Sequence, residues 1–141
     1  MQSVINTTSS TNIETARLAT AIRLEYLLEG PANAPVFCFV HGLGSNLRQF
    51  LPQVAHFNGR YRVLLLSLCG HGGSSIPKPA TAAAYALPVL AQDIAALLDH
   101  LDIASLHFVG NSLDGLVGYE LLSKGRPQLT YYQALAWLRR S

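Results

Sequence analysis

Charge is scarce in this chain: only 13% of its 141 residues are Asp, Glu, Lys or Arg, and the net charge is +2. With a hydrophobic content of 50%, that excludes a disordered, self-repelling segment and predicts one domain with a well-buried core. The ten basic residues are scattered between Arg17 and Arg140, with no patch denser than Arg139-Arg140. A phosphate-backbone footprint is therefore missing, and nucleic acid is not expected as a partner. Two cysteines, Cys38 and Cys69, are too few for a disulfide scaffold. The stretch 1–12 is polar and rich in Ser, Thr and Asn, without the apolar centre of a secretory signal. It is read as a disordered tail. No apolar run reaches the ~20 residues of a membrane span. A cytoplasmic chain with reduced thiols follows, with no membrane partner, cofactor or metal expected.

What is present alternates as a layered α/β domain requires. Ile13–Leu18 and Ala21–Leu28 read as a leading antiparallel pair, closed by Glu29-Gly30-Pro31. Pro35-Val36-Phe37-Cys38-Phe39-Val40 and Tyr61–Leu68 read as buried strands, with a helix near Leu47–Phe57 between them. The clearest helix carries Leu87, Leu90, Ile94, Leu97, Leu98 and Leu101 at three- and four-residue spacing. Gln92, Asp93, Asp99 and Asp102 are assigned to its polar face, and Pro88 to its first turn. Ser105–Val109 reads as a strand and Gly115–Lys124 as a helix ended by Gly125 and Pro127.

Chemistry concentrates where these strands end. Ser112 lies in Gly110-Asn111-Ser112-Leu113-Asp114-Gly115, between a strand and a helix. A tight turn there projects a hydroxyl clear of the sheet and aims the next backbone N–H at a reacting carbonyl. Gly110 is the small residue that such a turn needs two positions earlier. The pattern G-x-S-x-G also asks for a small residue at 114, where this chain has Asp114. Upstream, the strand ending at Val40 runs into His41-Gly42-Leu43-Gly44-Ser45-Asn46, and the strand to Leu68 runs into Cys69-Gly70-His71-Gly72-Gly73-Ser74-Ser75. A glycine-serine string alone is common; three such loops at successive strand ends are not.

In this order and context the chain resembles the N-terminal part of an α/β-hydrolase, over roughly residues 12–127, in the branch of esterases, lactonases and enol-lactone hydrolases. The resemblance implies a truncated half-domain of that fold, spanning 13–127: a mostly parallel sheet of about five strands with flanking helices. It implies a serine hydrolase acting on a carboxylic ester or lactone. Ser112 would be the nucleophile. Leu43 and Leu113 would give the backbone N–H donors of the oxyanion hole, and His41, Gly42, Gly44, Gly110 and His71 would support the loops. A serine in that place argues against the dehalogenase branch, which uses Asp.

Other features depart from the family pattern. The family's acid and histidine follow the elbow, yet here no histidine follows His107, and Glu120 is the only acid beyond Asp114. A serine hydroxyl without a base within hydrogen-bond reach is a poor nucleophile. His71 reads either as a stand-in base or as a loop residue bonding backbone, with the second favoured. His41 reads as orienting its loop, His56 and His100 as helix-surface residues, and His107 as lying at the wrong end of its strand. Ser67 and Cys69 stand where the family has Asp and Arg, which removes a charged pair that ties down the loop. Cys69 is either a reactive thiol or an inert replacement, the latter favoured. Asp114 adds bulk and a negative charge beside the oxyanion hole, opposing transition-state charge.

The stretch 128–141 reads as a short helix on its Leu, Ala, Gln and terminal Arg-Arg. A shift of reading frame past Pro127 would account for that atypical character. Leu106, Phe108 and Val109 would then lie on an open sheet edge, and self-association through that edge is expected. The chain is accordingly read as inactive by itself. The alternative function is that of a non-catalytic remnant or interaction module.

Overall fold

The structure is a computed structural model that describes residues 12–111, 116–123 and 129–134. Six strands form one sheet: β1 (Glu14–Arg17), β2 (Arg23–Glu29), β3 (Val36–Val40), β4 (Arg62–Leu66), β5 (Leu106–Asn111) and β6 (Leu129–Ala134). Their spatial order is β1-β2-β4-β3-β5-β6. The leading pair is antiparallel, as the sequence predicts, and β2 is also antiparallel to β4. From β4 through β3 and β5 to β6 every pairing is parallel. Among the described residues three α-helices cover the sheet: α1 (Leu51–Phe57), α2 (Leu87–His100) and α3 (Leu116–Ser123).

Parallel strands covered on both faces read as near-continuous apolar runs, as Val36–Val40 and Val63–Leu66 do. Phe39, Val63 and Leu65 face one side with Leu47 and Val54, under α1. Cys38, Val40, Leu64, Leu66 and Phe108 face the other with Leu90, Ile94, Leu97, Leu98, Val117 and Leu121, under α2 and α3. Each fully buried leucine contributes about 1.5–3 kcal/mol relative to exposure. The end of β2 demands glycine: Gly30 has φ 122°, and a Cβ there would collide with the Tyr61 carbonyl.

Expectations are corrected at two places, the C-terminal stretch with the open edge expected beside it, and Asp93. Of the helix read over 128–141, Leu129–Ala134 is instead β6, which pairs with β5 from Leu106↔Leu129 to Asn111↔Ala134; residues 128 and 135–141 lie outside the described residues. Thr130, Tyr131 and Tyr132 favour a pleated surface, and an available strand edge outweighs the helical leaning of Leu and Ala. A sixth strand thus stands where the frame-shift reading assumed none. The edge of β5 is consequently covered, Leu106 and Phe108 are buried, and the open edge expected there does not exist. Asp93 is the second correction. It lies on α2 beside Leu90, Ile94 and Leu97, and is 4% exposed. The polar-face assignment holds for the exposed Gln92 and Asp99, whereas Asp102 is exposed beyond the end of α2, at φ 60°.

Candidate active site

The chain turns back across the sheet between β4 and β5, so β3 lies between strands added on opposite sides. Ligands of open α/β sheets settle outside the carboxyl ends of strands at such a reversal. Val40, the last residue of β3, pairs with Gly110 of β5. The loop from His41 therefore starts beside the end of β5. Ser112, Leu113 and Asp114 lie outside the described residues.

His41 is fully buried. Its Nδ1 lies 2.7 Å from the Gly42 carbonyl, and the Leu68 N–H donates to its Nε2 at 3.0 Å. Those two bonds assign the proton to Nδ1, since a carbonyl can only accept and a backbone amide can only donate. Burial first, and then the charge of His71, push the imidazole below its ordinary range, against the pull of Gly42 and Glu25. His41 thus ties the loop after β3 to the loop after β4. Beyond it, Ser45 N–H closes a turn on the Gly42 carbonyl at 3.1 Å, and Gly44 adopts φ 80°. This turn lifts Leu43 out to 65% exposure. Among the described residues, the Leu43 N–H has no hydrogen-bond partner.

The loop after β4 is held by a network that sequence reasoning missed. Glu25 of β2 is 3% exposed and accepts from the Ser67 hydroxyl at 2.6 Å and from Arg48 at 3.0 and 3.3 Å. Burial pushes its carboxyl up, but Ser67, the Gly73 backbone and Arg48 outweigh it and hold Glu25 below the usual carboxylate range. Ser67 also accepts the Leu47 N–H at 3.0 Å, and Ser74 accepts the Glu25 N–H at 2.9 Å while donating to the Ser67 carbonyl at 2.6 Å. Gly72, at φ 52°, leaves no room for a Cβ beside Glu25. The charged pair expected to be lost at positions 67 and 69 is thus replaced by one between Glu25 and Arg48. Its only signal in the sequence is an acid in mid-strand, between Leu24 and Tyr26.

The remaining candidates divide clearly. His71 lies with its ring 4.9 Å from that of His41, and its Nδ1 is 3.0 Å from the Cys69 carbonyl. That contact fits the loop reading. His56 and His100 are exposed on helices. His107 stacks on Phe37 at 4.7 Å, near the amino end of β5 and away from the loops. Cys69 is buried, and its thiol is pushed up to about 11 by burial and then by Asp93. Burial alone pushes Cys38 up to about 12. Neither thiol is poised for nucleophilic attack. Among the described residues no group of three potential metal ligands occurs, and no helix is long and apolar enough to cross a membrane.

A model of the alpha/beta hydrolase fold family matches residues 35–129. The chain belongs to that family. It is 38% identical over 97 residues to 3-oxoadipate enol-lactonase 2 of Acinetobacter baylyi, a match covering 69% of this chain and 35% of that protein. It is 32% identical to the magnesium-chelatase 30 kDa subunit of Rhodobacter capsulatus, over 65% of this chain and 31% of that one. The enol-lactonase from Burkholderia xenovorans LB400 superposes with a TM-score of 0.72 at 31% identity, over 82% of this chain and 44% of the solved one. An epoxide hydrolase from hot-environment metagenomes gives 0.76 at 32%, over 84% and 39%. The chain thus spans about a third of the length of these curated relatives.

Proposed function

We propose that this chain contributes to a serine hydrolase acting on a carboxylic ester or lactone, with Ser112 as nucleophile and the Leu43 and Leu113 N–H groups as oxyanion donors. The observation that supports this reading is the Leu43 N–H, without a hydrogen-bond partner among the described residues, in the exposed loop that starts beside the end of β5. Ser112 is the next residue in the sequence after β5. A carbonyl attacked by its hydroxyl would place the developing oxyanion where such donors act. The names of the enol-lactonase relatives favour a lactone among ester substrates.

For the 141-residue chain on its own we favour the second reading, a module without turnover. His41 is spent between Gly42 and Leu68, His71 faces the Cys69 carbonyl, and the other three histidines stand away from the loops. His71 keeps its Nε2 open, but among the described residues no carboxylate orients its ring for proton abstraction. Fluorophosphonate labelling and turnover of a p-nitrophenyl ester, each compared with Ser112→Ala, decide between the two. Labelling lost in Ser112→Ala supports hydrolysis, and no labelling in either chain supports the module.

A further inference from the structure

A cavity of about 320 Å³ opens between the β1–β2 turn, the loop after β4 and α2, lined by Thr20, Ile22, Cys69, Val89, Gln92 and Asp93 among others. It lies on the β2 side of the sheet, on the far side of β4 from the β3–β5 reversal. Asp93 is 4% exposed, and its Oδ2 is buried without a hydrogen-bond partner. Thr20 also lines the cavity; its Oγ1 is buried without a recorded partner, and its hydroxyl lies close enough to the carboxyl to favour the charged form. A buried carboxylate with an unmatched oxygen costs several kcal/mol unless a cation or donor meets it. Burial pushes the Asp93 carboxyl up, against Thr20 and Cys69.

We propose that this cavity binds a small organic cation of the alkylguanidinium class, which pairs with Asp93 and donates a further N–H to Thr20 Oγ1. Three features select that class. A single carboxylate is too poor an oxygen set for Ca²⁺, which takes six to eight oxygen ligands, or for the octahedron of Mg²⁺. The guanidinium plane offers forked donors that match a carboxylate and is weakly hydrated, so it surrenders little solvation on entering. Ile22 and Val89 supply apolar wall for an alkyl group, whereas Gln92 gives a polar rim at the exposed mouth. An alkylammonium ion of the same size carries a compact, strongly hydrated charge and only one donor direction toward each oxygen.

The test uses the 141-residue chain, titrated with ethylguanidinium chloride while ¹H–¹⁵N spectra are recorded, against ethylammonium chloride and NaCl at equal ionic strength. Saturable shifts at the Thr20, Cys69 and Asp93 amides are expected with ethylguanidinium. The isosteric Asp93→Asn chain, which keeps the shape and removes the charge, should bind roughly tenfold or more weakly. Cys69→Arg provides a second check, because an arginine at 69 faces Asp93 from within the cavity and should abolish the titration. Binding in Asp93→Asn or in a folded Cys69→Arg equal to that of the parent overturns the proposal. So does ethylammonium binding as tightly as ethylguanidinium, or the absence of any saturable shift.

Discussion

Ser67 shows how one hydroxyl can organise two loops. It accepts the Leu47 N–H at 3.0 Å and donates to Glu25 at 2.6 Å, so it joins the segment after β3 to the interior of β2. Ser67→Ala removes both bonds and leaves a buried N–H without an acceptor. A loss of about 1–3 kcal/mol is expected, read as a lower urea midpoint. Ser67→Asp, which installs the residue that the family resemblance places there, should be worse than alanine. A second carboxylate would stand against Glu25, whose charge is already matched by Arg48. If the Asp variant proved as stable as the parent, the Glu25–Arg48 pair would not be the replacement described above.

At the scale of elements, β6 decides whether the sheet has an exposed central strand. Leu106 and Phe108 are buried in a strand whose far side is paired along its whole length from Leu106 to Asn111. A chain ending at Arg126 would strip that pairing and present the N–H and C=O groups of β5 to solvent. Such an edge recruits other chains. Size-exclusion chromatography over a concentration series should show the shortened chain associating at lower concentration than the full 141 residues. Equal elution at every concentration would mean that β6 does not protect the edge.

Across the molecule, buried titratable groups pull stability in opposite directions with pH. The folded-state pKa of His41 is lowered from 6.5, so below that value the unfolded chain takes up a proton that the folded chain resists. Its contribution is present above about pH 6.5 and is lost as pH falls through the folded value. Glu25, lowered from 4.5, behaves the same way further into acid. Asp93, raised from 3.8, has the reverse sign: its contribution is present below 3.8 and is lost as pH rises through the folded value. Urea midpoints measured from about pH 7 down to about pH 5 should fall in the parent through His41. His41→Phe should remove that step. It should also cost about 1–3 kcal/mol at neutral pH by orphaning the Leu68 N–H. An undiminished step in the variant would assign it to another group.

The strands and the long helix were legible in the sequence, because apolar runs and the three- and four-residue spacing of Leu87 to Leu101 depend on local burial alone. The loop order at the strand ends was equally legible and led to the right family, since glycines mark turns wherever the chain must reverse. Three features were decided only by tertiary structure. Residues 129–134 are strand because the edge of β5 is there to pair with, a fact held in another part of the chain. Asp93 is buried because Thr20 and Cys69 lie over the flank of a helix whose periodicity places it on the polar face. Glu25 and Arg48, 23 residues apart, meet because β4 pairs with both β2 and β3 and so brings Glu25 of β2 near the segment that follows β3. Periodicity reports which face of an element is apolar; which side chains from distant segments meet across it is fixed by the packing of the sheet.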